Sequence, residues 1–261
     1  MRGAYHPVMD ELLAKDTARL AELMGAAERC VVLTGVRLGA TEETEAKAAG
    51  SAWGEAASLE VLLSDPSRFW ANWLPRAIES AERVPRAEHE AIVRLQQAGV
   101  IKGLITQAVD DLHRKAGSPE VVEVHANVMS GRCNRCHDVY ALSEVAALVG
   151  ASDDGVPRCT RDGCNYPLRP TGTLWGEPLV EPAIIKAWDL AAWCDLFVVL
   201  DTQLRTDPMA MLPSVPLKKE RTLAIVGSTP TQYDRYAALV IHWPAPDVIT
   251  AVADTLAPAS S

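Results

Sequence analysis

From Pro85 to Cys136 the chain reads PRAEHEAIVRLQQAGVIKGLITQAVDDLHRKAGSPEVVEVHANVMSGRCNRC, and the order of elements in this stretch decides the fold. Ala87 to Ala98 carries apolar residues at helical spacing. Gly99 stops that helix, because glycine takes up the left-handed backbone of a helix end at little cost. Val100 to Thr106 is an apolar run of strand length. Asp110 to Lys115 predicts a short helix ended by Gly117, and Val121 to Val124 predicts a further strand. Strands alternating with helices imply a parallel sheet covered on both faces, with right-handed crossovers.

The same alternation extends in both directions. Upstream, Asp10 to Glu28 has helical periodicity, and Cys30 to Thr34 is a buried strand that runs into a turn at Gly35. Thr41 to Ala49 predicts a helix, and Leu59 to Glu82 predicts helices interrupted near Pro66 and Pro75. Downstream, a helix over Ala183 to Trp193 precedes strands at Leu196 to Leu200, Leu223 to Val226 and Leu239 to Trp243. A last helix spans about Pro246 to Leu256. Between the halves the texture changes: residues 126–170 hold four paired cysteines and read as an inserted module. The expected organisation is a Rossmann-like α/β domain over 1–125 and 171–257, a small zinc-binding domain over 126–170, and a tail at 258–261.

Composition excludes several classes of function. The formal charge is −9, and no Lys/Arg stripe is present of the kind that neutralises nucleic-acid phosphates. Lys218-Lys219-Glu220-Arg221, the densest basic cluster, reads as a solvated turn. No apolar run approaches the ~20 residues of a membrane span, and Met1 to Asp10 lacks a signal-peptide pattern, so the expected location is the cytoplasm. The tryptophans, Trp53, Trp70 and Trp73 among them, are expected mainly in the core.

The six cysteines fall into two groups. Cys30 and Cys194 stand alone beside apolar runs and read as small core hydrophobes. The others form Cys133-x2-Cys136 and Cys159-x4-Cys164. Two close pairs separated by a loop suit a tetrahedral zinc, and four thiolates leave no position for water, so the metal is structural. His137 could compete as a ligand, and iron is the chemical alternative to zinc.

The quoted stretch resembles the sirtuin core. In that family a Thr-Gln-Asn-x-Asp-x-Leu-His motif is followed by Ala-Gly-Ser and then by His-Gly ahead of the first zinc cysteines. Thr106, Gln107, Asp110, Leu112, His113, Ala116, Gly117, Ser118 and His125 fall on this pattern, as do Leu168-Arg169-Pro170 and Gly176-Glu177 downstream. The resemblance implies NAD bound by the large domain through Gly35, Val36, Gln107 and Asp110. It further implies an acyl-lysine peptide, or a partner protein, in the cleft between the domains. By the same resemblance His125 is the general base on a ribose hydroxyl, a task for an imidazole that titrates near the working pH.

Departures from the pattern gather at the cofactor contacts. The family's Gly-Ala-Gly-x-Ser reads Gly35-Val36-Arg37-Leu38-Gly39, and its Pro-Asp-Phe-Arg element is missing from Thr41 to Ala49. Gln-Asn becomes Gln107-Ala108, His-Gly becomes His125-Ala126, Gly-Thr-Ser becomes Asp201-Thr202-Gln203, and Ile-Asn becomes Val226-Gly227. On the peptide side Trp175 replaces a Phe. Two expectations compete: a deacylase (or ADP-ribosyl transferase) with impaired or altered chemistry, and a non-catalytic peptide-binding module on the same fold.

Overall fold

A computed structural model describes residues 7–36, 38, 58–179 and 181–258. The helix expected over Thr41 to Ala49 lies outside the described residues, as do Arg37, Gly39 and Trp53. The chain begins with α1 (Pro7–Ala26), β1 (Cys30–Thr34), α2 (Leu59–Ser64), α3 (Pro66–Glu82), α4 (Ala87–Gln97), β2 (Ile101–Thr106), α5 (Leu112–Lys115) and β3 (Val122–Glu123). The insert follows with β4 (Ser130–Cys133), β5 (Val139–Ala141), α6 (Leu142–Gly150) and β6 (Leu168–Pro170). It leads to α7 (Glu181–Trp193), β7 (Leu196–Leu200), α8 (Ser214–Lys218), β8 (Thr222–Val226), β9 (Leu239–Ile241) and α9 (Ala245–Leu256).

Six strands form one sheet in the order β3-β2-β1-β7-β8-β9, and every adjacent pair is parallel. Because side chains alternate along a strand, each strand feeds two cores. Cys30 and Val32, Leu196 and Val198, and Ala224 and Val226 face one side, with Leu20, Met24, Ile92 and Val252 from the helices there. Val31 and Leu33, Phe197 and Val199, and Leu223 and Ile225 face the other, with Ala187 and Ala191 of α7. Burial on both faces explains why these strands read as unbroken apolar runs rather than as alternation. Gly103 lets α7 lie close on the sheet: a Cβ there would stand 3.0 Å from a Leu190 methyl. Cys30 and Cys194 are fully buried core residues, and burial drives both thiols well above their usual range.

The insert forms its own antiparallel sheet, β5-β4-β6, and a third core. That core joins Val128, Cys133, Tyr140, Val145 and Leu168 to Phe69, Trp70, Trp73 and Leu74, so α2 and α3 pack with the insert. Phe69, Trp70 and Trp73 meet edge-on or stacked, with ring centroids 5.3–6.3 Å apart.

Three expectations need correction. Pro66 begins a helix as predicted, with Asp65 capping the Arg68 amide at 3.0 Å, but Pro75 lies inside α3 without ending it. Ala71, whose carbonyl loses its partner to the proline ring, is on the exposed side, where water can replace the bond. Trp175 and Trp193 are exposed, while Trp70 and Trp73 are core as expected. The strands at Val121 to Val124 and Leu239 to Trp243 shorten to two and three residues, since both lie at sheet edges with a single pairing neighbour. No helix among the described residues is long and apolar enough to cross a membrane.

Because Trp70 is wholly buried, its indole is the largest single contribution to the third core. Trp70→Ala is expected to cost roughly 3–5 kcal/mol, read as a lower urea midpoint with unchanged slope. Trp175→Ala, at an exposed position, is expected to leave the midpoint within about 0.5 kcal/mol.

Candidate functional site

Strand order in the main sheet reverses between β1 and β7, and the crevice at such a switch point is where ligands of open α/β sheets bind. Four loops leave the sheet there, and in each the first residue still bonds to the neighbouring strand. Gly35 N–H donates to Leu200 O (2.9 Å), Gln107 N–H to Thr34 O (3.0 Å), Asp201 N–H to Val226 O (2.9 Å) and Gly227 N–H to Ile241 O (3.0 Å). Gly35 is obligatory on steric grounds: a Cβ would lie 2.1 Å from Asp201 O. The Asp201 carboxylate leans the other way, with Oδ1 3.3 Å from the place of a Gly227 Cβ. Asp201 holds a left-handed backbone at φ 50°, which Asp adopts more readily than most residues. Its neighbour Thr202 donates from Oγ1 to Gln107 Oε1 at 3.2 Å, tying the loop after β7 to the loop after β2.

Of the residues the sequence assigned to cofactor contact, Gly35 and Gln107 therefore meet in one crevice. Val36 follows Gly35 and is exposed. Asp110 lies in the same loop after β2, where its buried carboxylate accepts from Leu112 N–H, at the start of α5, at 3.2 Å.

Beneath the crevice lies a buried polar relay. Thr34 and Thr106 face each other across β1 and β2, and the Thr34 hydroxyl donates to Thr106 Oγ1 at 2.8 Å. Thr106 Oγ1 also accepts from Ala108 N–H at 3.1 Å. With the Thr34 proton committed, His113 Nε2, 3.1 Å away, is the donor to Thr34, and its Nδ1 is buried without a hydrogen bond. Burial pushes the His113 imidazole down to about 3, with His89, ring to ring at 5.1 Å, acting in the same direction. His113 is thus a neutral pillar that holds the Gln107–Ala108 turn.

His125 leaves the sheet one strand further along. Val124 N–H closes the pairing with Thr106 O (3.1 Å), and Ala126 N–H returns to Glu123 O (3.1 Å), which puts His125 in a tight turn. Val128 N–H to Val109 O (3.0 Å) binds this turn to the loop after β2. Burial pushes the imidazole of His125 below the usual histidine range.

The four paired cysteines converge. Their sulfur atoms all lie within 4.8 Å of one another, with Cys133–Cys164 at 3.6 Å and Cys136–Cys159 at 3.4 Å. Sulfurs bound at ~2.3 Å around a tetrahedral zinc stand roughly 3.8 Å apart, so this donor set fits that ion. Left-handed residues follow each second cysteine, His137 at φ 66° and Asn165 at φ 47°, and turn the chain around each knuckle. His137 is exposed and lies outside the converging set, which answers the question of a competing ligand. The Tyr140 hydroxyl lies 3.2 Å from Cys159 Sγ and accepts from Thr160 N–H at 2.9 Å. That hydroxyl holds the Cys159 thiol down to about 7, the direction that favours a metal-binding thiolate.

Sequence reading missed two parts of this assembly. The Thr34–Thr106–His113 relay was quoted as motif residues without a role. The Arg169–Glu177 ion pair was read as peptide-side sequence, yet both side chains are nearly buried and joined by two parallel bonds.

Metal analysis of the purified chain is expected to return one zinc per chain, and Cys164→Ser is expected to lower that ratio and the thermal midpoint. A second outcome concerns pH. In the unfolded chain His113 accepts a proton near pH 6.5; in the folded chain it does so only near 3. Its contribution to stability is complete above pH 6.5 and is lost as pH falls toward 3, with a slope of up to about 1.4 kcal/mol per pH unit. In His113→Gln the urea-determined stability is expected to lose about one proton's worth of this slope.

Comparison with known proteins accords with this geometry. The Sir2 family profile matches residues 45–208. An NAD-dependent protein deacetylase of Caldivirga maquilingensis is 35% identical over 196 residues, which is 75% of this chain and 74% of that protein. Among solved structures, Sir2 bound to acetylated peptide superposes with a TM-score of 0.82 at 26% identity, over 93% of this chain and 99% of that one. Sir2 with p53 peptide and NAD+ gives 0.78 at 27% identity, over 91% and 97%. The chain therefore belongs to the Sir2 family, with a sirtuin fold of six parallel strands and an antiparallel insert that carries the four-cysteine cluster.

Proposed function

We propose that this chain is an NAD-dependent protein-lysine deacylase whose cofactor pocket is altered by a carboxylate at Asp201. The observation that carries the reading is the meeting of Gly35, Gln107 and Asp201–Thr202 at the switch point, with His125 on the adjoining strand end. Its relatives of about 30% identity are NAD-dependent deacetylases and deacylases, and solved relatives hold acetylated peptide, or peptide with NAD+.

When bound, NAD would supply an activated ribose carbon for the acyl oxygen of a lysine, with nicotinamide as the leaving group. In this reading the turn at Gly35 and Val36 faces the cofactor's phosphates, and Gln107, fixed by Thr202, lines the nicotinamide side. His125, whose imidazole burial pushes below the usual range, takes the proton of a ribose hydroxyl. A zinc held by Cys133, Cys136, Cys159 and Cys164 has no open position and serves the fold alone.

One feature favours the second reading, a non-catalytic peptide-binding module. Asp201 places its carboxylate beside Gly227, where the family has an uncharged residue, and Ala108 offers no side-chain amide. A carboxylate near an anionic ligand weakens binding without forbidding it. Calorimetric titration separates the readings. The deacylase reading expects saturable NAD binding, tightened about 3–10-fold in Asp201→Asn, and acyl-peptide-dependent nicotinamide release that is lost in His125→Ala. Absence of NAD binding in the folded, zinc-loaded protein would contradict it.

A further inference from the structure

We infer that the Arg169–Glu177 ion pair is a positioning element for His125, acting through the backbone of the loop between the two residues. Arg169 lies on β6, directly opposite Arg132 of β4 and one residue after Leu168, which pairs with Cys133. Its guanidinium makes a two-pronged contact with the Glu177 carboxylate, the Nη2–Oε2 arm at 2.7 Å. Their side chains are only 12% and 13% exposed, so this pair is shielded from solvent in a way most surface pairs are not.

Both ends of the pair also grip the loop they enclose. Arg169 donates to Pro170 O from Nε (2.9 Å) and to Gly172 O from Nη2 (3.3 Å). Glu177 Oε2 accepts from Leu174 N–H at 2.9 Å, and Glu177 N–H donates to Leu174 O at 3.0 Å. Although burial alone would push the Glu177 carboxyl up, these hydrogen bonds hold it below the usual glutamate range.

The loop so gripped has one partner of consequence. Thr173 N–H donates to His125 O at 2.9 Å. Gly172 presses on the same turn, so closely that a Cβ would stand 3.0 Å from Asn127 O. Thr171 N–H and its hydroxyl both bond to Ser130 O at 3.0 Å, and the hydroxyl reaches Asn127 O at 3.5 Å. Residues 125–130 are thereby laid along 171–173. Beyond Thr173 the loop reaches α2, where Leu59 N–H donates to Trp175 O at 2.9 Å. His125 leaves from a β3 of two residues at the sheet edge, which gives its turn little support from the main sheet. The geometry assigns that support to the gripped loop.

The catalytic part of this inference rests on the deacylase reading, but its first test does not. Side-chain nitrogen NMR resolves the six histidines, assigned by substitution. In Glu177→Gln and in Arg169→Lys, which keeps the charge and loses the two-pronged fit, the His125 ring signals are expected to shift or broaden. Those of His113 and His89, held by other elements, are expected to stay in place. Should Glu177→Gln fail to fold, Arg169→Lys decides alone. Unchanged His125 signals in a folded variant would overturn the inference, and so would equal changes at all six histidines, which mark a general loosening. In turnover, both variants are expected to lower kcat about tenfold while the KM for NAD holds, because small misplacement of a reacting group is costly in rate. A raised KM for NAD with kcat intact would overturn it. If the parent protein proves inactive, the deacylase reading falls while the NMR result still judges the positioning claim.

Discussion

Strands of three or four residues cannot hold a sheet against water by their ladder bonds alone, and the insert is built from three of them. Its sheet closes because four cysteine sulfurs, contributed by the end of β4 and by the two knuckles, draw within 4.8 Å of one another. That convergence fixes β4, and β4 pairs with β6 in a register that sets Arg169 opposite Arg132. From Arg169 the constraint passes to Glu177, to the Thr173 amide and so to the turn that bears His125. The sulfur cluster takes no part in chemistry in this account. Through the β4–β6 register it is tied to the turn that bears His125.

The main sheet imposes a second constraint of a different kind. At Gly35 the chain passes so close to Asp201 that no side chain fits, and the approach keeps the crevice narrow between β1 and β7. Below it, three hydrogen-bonded side chains on β1, β2 and α5 hold the Gln107 turn in place, and the innermost is a histidine buried as the neutral form. These contacts are all made within the chain itself.

Much of this was legible in the residues. Strands buried on both faces announce themselves as unbroken apolar runs, so β1 and β7 lie where they were expected. The cysteine spacing announced the four-sulfur cluster, because knuckle geometry depends on local spacing. Pro75 misled because the effect of a proline depends on whether the carbonyl it orphans can reach water, which sequence does not encode. The Arg169–Glu177 clamp stayed hidden because its residues become partners only once the loop between them folds back.

The central claim, that this crevice and His125 perform NAD-dependent deacylation, is tested most directly by mass balance of the products. The folded, zinc-loaded chain would be incubated with NAD and an acetyl-lysine peptide, and all products weighed by mass spectrometry. The account predicts deacylated peptide and nicotinamide in equal amounts, with the acyl group recovered on the ADP-ribose. A peptide that keeps its acyl group while NAD stays intact would contradict it.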